Sequence, residues 1–518
     1  MVDLGVLLVI VFFPLLVAAG LTVVPASNQK LILWLSGLGA MLPLLFTVLV
    51  FFGFQASAHG FQFISHWHWF SIWIPVVDGT SGHVFFQPVN IALSFGIDGL
   101  SLPLLFLSTL VGFLAWLASL KETHQVKLYM ITYMLLLVGM NGVFVTTNLF
   151  LFFIFFEITL VTLFLLVGIW GGTKREQGAY QLLLYNGLGS LLMLLAFIGL
   201  FMWSGSWDMI EIQERLAASV MPNDQRWLIF ALLLIAFGIK LPIVPLHTWV
   251  LNVHPVASAP ISMILSGVLL KMGGYGLIRF AVGYFPDLIS AVSYLLAVVG
   301  LVNLIYGAFM ALAEKDLKRM IAYSSVSHMG IVLLGISAMN VLGLQGAIYQ
   351  MVSHGLISAL MFMISGIILT RTQTTDIRQL SGLQKPLPFV SGVFLFAALA
   401  SLGLPLLSGF WAEIQTYLGV YESGKVEVVI VGALGLVLTA AYVLRMVLFT
   451  MWGEAMSWDS VKTFMGAYGK ERSEDKSGWR LRPNETLVLV ILVVFILLFG
   501  IYPYVLGETI AQSLTTFL

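Results

Sequence analysis

The chain has 518 residues, 60% of them hydrophobic and only 9% charged, where a soluble domain carries about 25% charged residues. Its 24 basic and 24 acidic residues cancel, and it has no cysteine. That excludes a soluble globular enzyme, a charge-selected partner such as nucleic acid, and cysteine-held zinc or iron–sulfur centres.

About 20 apolar residues span the hydrocarbon core of a bilayer. This ruler predicts an all-α membrane protein with about fourteen transmembrane helices. They fall near 4–24, 31–54, 92–119, 127–147, 149–170, 180–203, 226–250, 258–282, 287–312, 317–338, 344–370, 386–420, 428–452 and 485–506. The N-terminus carries Asp3 and no basic n-region, so 4–24 reads as a retained helix rather than a signal peptide. Residues 55–90 hold His66, Trp67, His68, Trp69, Phe70 and Trp73 with no Lys or Arg. They read as an external loop with an aromatic interfacial belt rather than a His-x-His metal site. Residues 453–484 mix charges of both signs and read as a cytoplasmic loop.

The connecting loops test the helix count. Odd-numbered loops hold seventeen basic residues, among them Lys315, Lys318, Arg319, Arg371 and Arg378. Even-numbered loops hold four, namely Arg215, Arg226, Arg279 and Lys425. The positive-inside rule then places the odd loops in the cytoplasm and both termini outside.

Several ionisable residues sit inside apolar segments. Glu157 lies within Leu149–Val161, and Lys240, Lys271, His328, His354 and Glu413 are similarly enclosed. An ionised group at bilayer depth costs about 2.5–3.5 kcal/mol or more, so each is a functional candidate. Lys240 is the natural partner for Glu157, and a static ion pair is the bland alternative. Lys271 is near the middle of its segment, which disfavours snorkelling, and Gly267, Gly273 and Gly274 allow close helix approach. Ser324 and His328 share one helix face, as do Gln350, His354 and Ser358. No carboxylate or third histidine joins the two imidazoles, so they read as proton carriers or packing groups rather than metal ligands. Asp98 suits a helix start, and Arg445 reads as a snorkelling residue near a helix end.

Two segments carry a break beside a charge. Helix 7 reads Lys240-Leu241-Pro242-Ile243-Val244-Pro245-Leu246-His247-Thr248-Trp249. Helix 12 reads Gly403-Leu404-Pro405-Leu406-Leu407-Ser408-Gly409-Phe410-Trp411-Ala412-Glu413. Proline removes a backbone donor and bends a helix, and irregular backbone at this depth belongs beside protein or a water-filled cavity. The segments lie five helices apart and so run in opposite directions, as in an inverted repeat. The expected organisation is residues 1–126 (helices 1–3), 127–285 (first five-helix repeat), 286–452 (second repeat) and 453–518 (loop and last helix).

These residues carry a family likeness. Asp316-Leu317-Lys318-Arg319-Met320-Ile321-Ala322-Tyr323-Ser324-Ser325-Val326-Ser327-His328-Met329-Gly330 resembles the signature of the antiporter-like proton-translocating subunits of respiratory complex I, NADH:quinone oxidoreductase. Leu269–Gly276 and Pro245–Trp249 match as well, and the likeness runs from about Asp98 to Arg445. Glu413, where other branches carry lysine, resembles the M-type branch. The resemblance implies a proton path through the Glu157–Lys240 pair, Lys271, the link His328–His354, and Glu413 as terminal site. It implies no cofactor in this chain, with NADH, flavin, iron–sulfur clusters and quinone in partner subunits. Expected partners are L- and N-type antiporter-like subunits and the lipid bilayer, in a bacterial cytoplasmic (inner) membrane or an organellar one. A subunit of a multisubunit cation/proton antiporter or of a membrane-bound hydrogenase is the alternative, and an assembly scaffold without transport is a rival of another class. One departure stands out. The family usually continues His-x-Trp-Leu-Pro-Asp-Ala-His, whereas this chain has His247-Thr248-Trp249-Val250-Leu251-Asn252-Val253-His254.

Overall fold

The computed structural model describes residues 5–58, 60–77, 84–218, 221–453 and 479–515. Among these, twelve helices are long and apolar enough to cross a membrane. They are α1 (Val6–Val23), α2 (Gln29–Gly53), α3 (Ser101–Ser119), α4 (Val126–Val145), α5 (Leu149–Trp170), α6 (Arg175–Ser204), α10 (Ala259–Val282), α12 (Ser293–Ala313), α13 (Leu317–Ser337), α14 (Val341–Thr372), α17 (Val426–Met451) and α18 (Pro483–Ile501). Shorter pieces are α7 (Met209–Ala218), α11 (Pro286–Ala291) and α19 (Tyr504–Leu514). The two remaining apolar segments are helix pairs, α8 (Asn223–Lys240) with α9 (Thr248–Val256) and α15 (Pro388–Ser401) with α16 (Ser408–Glu422). Helices α10 and α13 are buried through their apolar length, and α14 nearly so, whereas α1 and α17 bury only 33%. The centre of the bundle is therefore α10, α13 and α14, the helices that carry Lys271, His328 and His354.

Both expected breaks are present. At the first, Pro242 and Pro245 remove two backbone donors. The side chain of Asn303 on α12 fills the gap, accepting from Val244 N at 2.8 Å and donating to Pro242 O at 3.2 Å. At the second, Gly403 has φ +76°, a conformation that glycine adopts without strain. Trp249 and Trp411 follow the breaks and tie them down, donating to Ile239 O at 3.0 Å and Gly500 O at 2.8 Å. A third irregularity was not legible. Helix α10 is π-helical over Leu265–Leu269 and Leu277–Val282, on either side of Lys271.

One construction occurs twice, at the start of α5 and at the start of α13. Asn148 caps α5 and forms a bridge with Asp208, whose carboxylate accepts from Ile210 N and Glu211 N. Asp316 caps α13 and forms the same bridge with Asp376, whose carboxylate accepts from Arg378 N.

The structure corrects several expectations. Within the stretch expected as an external loop, two strands, β1 (Gln62–Val77) and β2 (Val84–Ile97), pair antiparallel with Gln62 opposite Ile97. The third helix accordingly starts at Ser101 rather than 92, because Asn90–Ile97 extend as strand. Trp67, Trp69 and Trp73 are exposed, while His66 and His68 bond to Ser94 and Ser71 at 2.9 Å each. Arg279 is not a loop charge. It is buried inside α10 against Asp98, with both pairs of atoms at 2.7 Å. Lys318 is also buried, its ammonium donating to Ala257 O at 2.8 Å. Arg445 caps α12 by donating to the carbonyls of Leu312 and Glu314. The proposed cytoplasmic loop falls largely on 454–478, outside the described residues.

Candidate functional site

Helices α10, α13, α14 and the start of α16 converge on a buried polar core. Lys271 is fully buried. Its ammonium donates to Ser266 O and lies 2.9 Å from His354 Nδ1. Gly267 and Gly355 allow the close approach of α10 and α14, since a Cβ on Gly355 would stand 2.7 Å from Gly267 O. The rings of His354 and His328 have centroids 5.3 Å apart. His328 is held from three sides, by Ser401 at 3.0 Å, Gln350 at 3.2 Å and Tyr442 at 3.5 Å. This spacing follows from the stripes on α13 and α14, whose small and polar residues face each other.

A cavity of about 10 Å³, the scale of one water molecule, joins the imidazoles to the second break. His328, Gln350, Ser353, His354, Ser401 and Glu413 line it. Ser353 and Ser408 bridge α14 to the start of α16 at 2.7 Å. Glu413 points back at the break, where a Cβ on Gly403 would fall on its Oε2. The glycine therefore leaves room for the carboxylate.

Lys271, His354, His328 and Glu413 thus form one connected group. The first-half residues are arranged differently from expectation. Lys240 is buried and its ammonium rests 4.5 Å from the centroid of the Phe156 ring. Glu157 is within electrostatic reach, yet the two make no contact ion pair among the described residues. Phe156 takes the inner position on α5, so Glu157 turns to the side. There it lines a lateral groove of 610 Å³ with Phe12, Trp69, Leu93, Leu135 and Ile158, and its Oε1 has no hydrogen-bond partner among the described residues.

Sequence reasoning did not single out Ser353, Ser401, Ser408, Tyr442 or Asn303. The usable signal was a hydroxyl or amide within an otherwise apolar run. The Asn252 side chain donates to Thr248 O in its own helix, at 3.3 Å.

The sequence matches the NADH:quinone oxidoreductase/Mrp antiporter transmembrane family over residues 146–439. A relative from Thermosynechococcus vestitus, named NAD(P)H-quinone oxidoreductase chain 4, is 37% identical over 97% of this chain and 90% of its own length. One of the same name from Synechococcus elongatus is 38% identical over 95% and 88%. A chain of Thermus thermophilus respiratory complex I is similar in structure with TM-score 0.78 and 27% identity, covering 98% of this chain and 99% of that one. A chain of the Mrp complex from a Dietzia species shares the fold, with TM-score 0.82 at 22% identity over 98% and 96%. The chain belongs to the NADH:quinone oxidoreductase/Mrp antiporter family of transmembrane subunits.

Proposed function

We propose that this chain is a proton-translocating membrane subunit of an NADH:quinone oxidoreductase, of the M type (chain 4), with the redox chemistry carried by partner subunits. The observation that carries the reading is the contact of Lys271 with His354, which leads through one small cavity to Glu413. Amine, imidazole and carboxylate can each gain and lose a proton, and here they are in sequence and shielded from bulk water. Counting the two broken pairs as crossings supports fourteen helices; the placement of both termini outside, in a bacterial cytoplasmic membrane or an organellar one, rests on the positive-inside rule. The bridge repeated at Asn148–Asp208 and Asp316–Asp376 supports two inverted five-helix repeats.

The mechanism is electrostatic. A neighbouring L- or N-type subunit reaches Glu157 through the lateral groove. Moving charge there changes the field on Lys240 across Phe156. The proton of Lys240 passes to Lys271, then through His354 and His328 to Glu413 and out. Because Glu157 and Lys240 are not in contact, this coupling acts through space and through the Phe156 ring rather than by breaking a bonded pair.

The antiporter reading shares the fold, and the relatives more than 35% identical over nearly the whole chain favour the oxidoreductase. The test is donor-driven proton uptake by inverted membrane vesicles that hold the assembled complex. Lys240→Ala should abolish this subunit's share of uptake while assembly and electron transfer persist. Full uptake in an assembled Lys240→Ala complex refutes the proposal.

A further inference from the structure

Two openings on the surface share one face of α4. The Glu157 groove is lined by Leu135 and Val138 of that helix. A second cavity, of 410 Å³, lies at the end of the bundle that carries the basic loops, and Leu128 and Ile131 line it. Positions 128, 131, 135 and 138 follow one another at three- and four-residue steps, so they form a single stripe. Leu128, Ile131 and Leu135 are not buried, whereas every other residue of α4 beyond Lys127 is. From Lys127 to Val138 the helix rises about 16 Å at 1.5 Å per residue, close to half of the roughly 30 Å hydrocarbon core.

The cavity is polar at its rim and apolar inward. Gln29 of α2 faces it, with Thr123, Gln125 and Lys127 at the start of α4. The Lys127 ammonium is fixed at the rim by donating to Thr22 O of α1 at 2.7 Å, and it makes no ion pair among the described residues. Glu122, the carboxylate of the same turn, accepts instead from Thr123 N at 3.1 Å and His124 N at 3.0 Å. Lys30, next to Gln29, is a further exposed cation on this face. A fixed positive charge with hydrogen-bonding neighbours thus stands at headgroup depth, and an apolar track one leaflet long leads away from it. A free anion would fill the cavity and leave the track unused. A neutral lipid would follow the track and leave the lysine unpaired. Basic pockets between helices on the positively charged side of a membrane suit anionic headgroups, which use both.

We infer that this face is a binding site for an anionic glycerophospholipid. Its phosphate lies against the Lys127 ammonium, and Gln29, Thr123 and Gln125 offer hydrogen bonds to the phosphate and glycerol oxygens. One acyl chain follows Leu128 and Ile131 inward and ends at Leu135, at the near edge of the Glu157 groove. The chain end covers that edge and leaves the rest of the groove to the neighbouring subunit. The site requires no proton translocation, so it stands or falls separately from the function proposed above.

The test uses the assembled complex in mild detergent with phosphatidylglycerol or phosphatidylcholine, each carrying a photoreactive diazirine midway along one acyl chain. After illumination, labelled peptides are mapped by mass spectrometry. Phosphatidylglycerol should label residues 128–135 about fivefold more than phosphatidylcholine, the effect of one lysine beside an anionic headgroup. Lys127→Gln should remove this preference and Lys127→Arg should keep it, which separates the charge from the contact with Thr22. Inorganic phosphate should not displace the label. Equal labelling by the two lipids in the unaltered complex overturns the site, because boundary lipid makes no such distinction, and that comparison depends on no variant. A preference that survives Lys127→Gln overturns the headgroup assignment. Displacement by inorganic phosphate would reveal a free-anion site, and an unlabelled stripe would reveal a partner subunit seated on it; either result overturns the lipid site.

Discussion

The Lys271 ammonium stands 2.9 Å from His354 Nδ1, although the residues are 83 positions apart and on different helices. Two unit charges at that distance repel by about 6 kcal/mol even at an effective dielectric of 20. The pair therefore holds one positive charge at a time. A proton that arrives at Lys271 is passed on before His354 is charged from elsewhere.

Lys271→Met and His354→Phe should each slow proton transfer through this subunit at least about tenfold, or about 1.4 kcal/mol in barrier height. The double variant should be no slower than the worse single one, because residues in one network are not additive. Initial rates of dye-reported acidification in vesicles measure this. Additive losses would mean that the two act separately.

Gly403 makes room for Glu413. Alanine there meets Glu413 Oε2 and must also adopt φ +76°, a strain of about 1–2 kcal/mol for an L-residue. Gly403→Ala should lower the thermal unfolding temperature of the purified complex and impair proton release, whereas Gly392→Ala should do neither, since its Cβ meets open space. Equal effects from the two would contradict the role given to Gly403.

Asp98 and Arg279 form a buried two-point ion pair that joins the hairpin end to α10. Arg279→Met leaves a buried carboxylate without its partner, which costs about 3–5 kcal/mol. The complex should fail to accumulate in membranes. Adding Asp98→Asn should restore part of the assembly, and native gels read the difference. No recovery in the double variant would show that the pair is not the cause.

Outside the membrane segments, Arg378 donates three side-chain hydrogen bonds to Asp376, and these hold its carboxyl below the usual 3.8. A carboxyl lowered on folding contributes stability that is fully present above its unfolded value and lost as pH falls through its folded value. The Asp316–Asp376 bridge should therefore loosen only below about pH 4. Hydrogen exchange at Ile377, which donates to Lys315 O at 2.9 Å, should rise there, and at higher pH in Arg378→Ala. Protection that does not depend on pH in either protein would exclude this role.

The buried ionisable residues were legible because the bilayer penalises each of them. A single Lys271 or Glu413 in an apolar run stands out against that cost. The breaks were legible too, since Pro242, Pro245, Gly403 and Pro405 are local signals. What escaped was whatever depends on side-chain direction. Glu157 and Lys240 look like natural partners by charge, but the helical turn of α5 directs Phe156 inward and Glu157 sideways. Arg279 and Lys318 look like loop cations until their buried partners, Asp98 and the Ala257 carbonyl, are brought near by the fold. The hairpin was hidden because His66–Phe70 mixes aromatic and polar residues without a clean period of two, and a bulge between His68 and Phe70 interrupts its register.

In the proposed path, protons leave through Glu413. The most direct test is the number of protons translocated per electron in vesicles holding the assembled complex with Glu413→Gln. Glutamine keeps the size and hydrogen bonding of the side chain but cannot release a proton. The expected result is a lowered ratio with electron transfer and assembly intact, and an unchanged ratio would contradict the path.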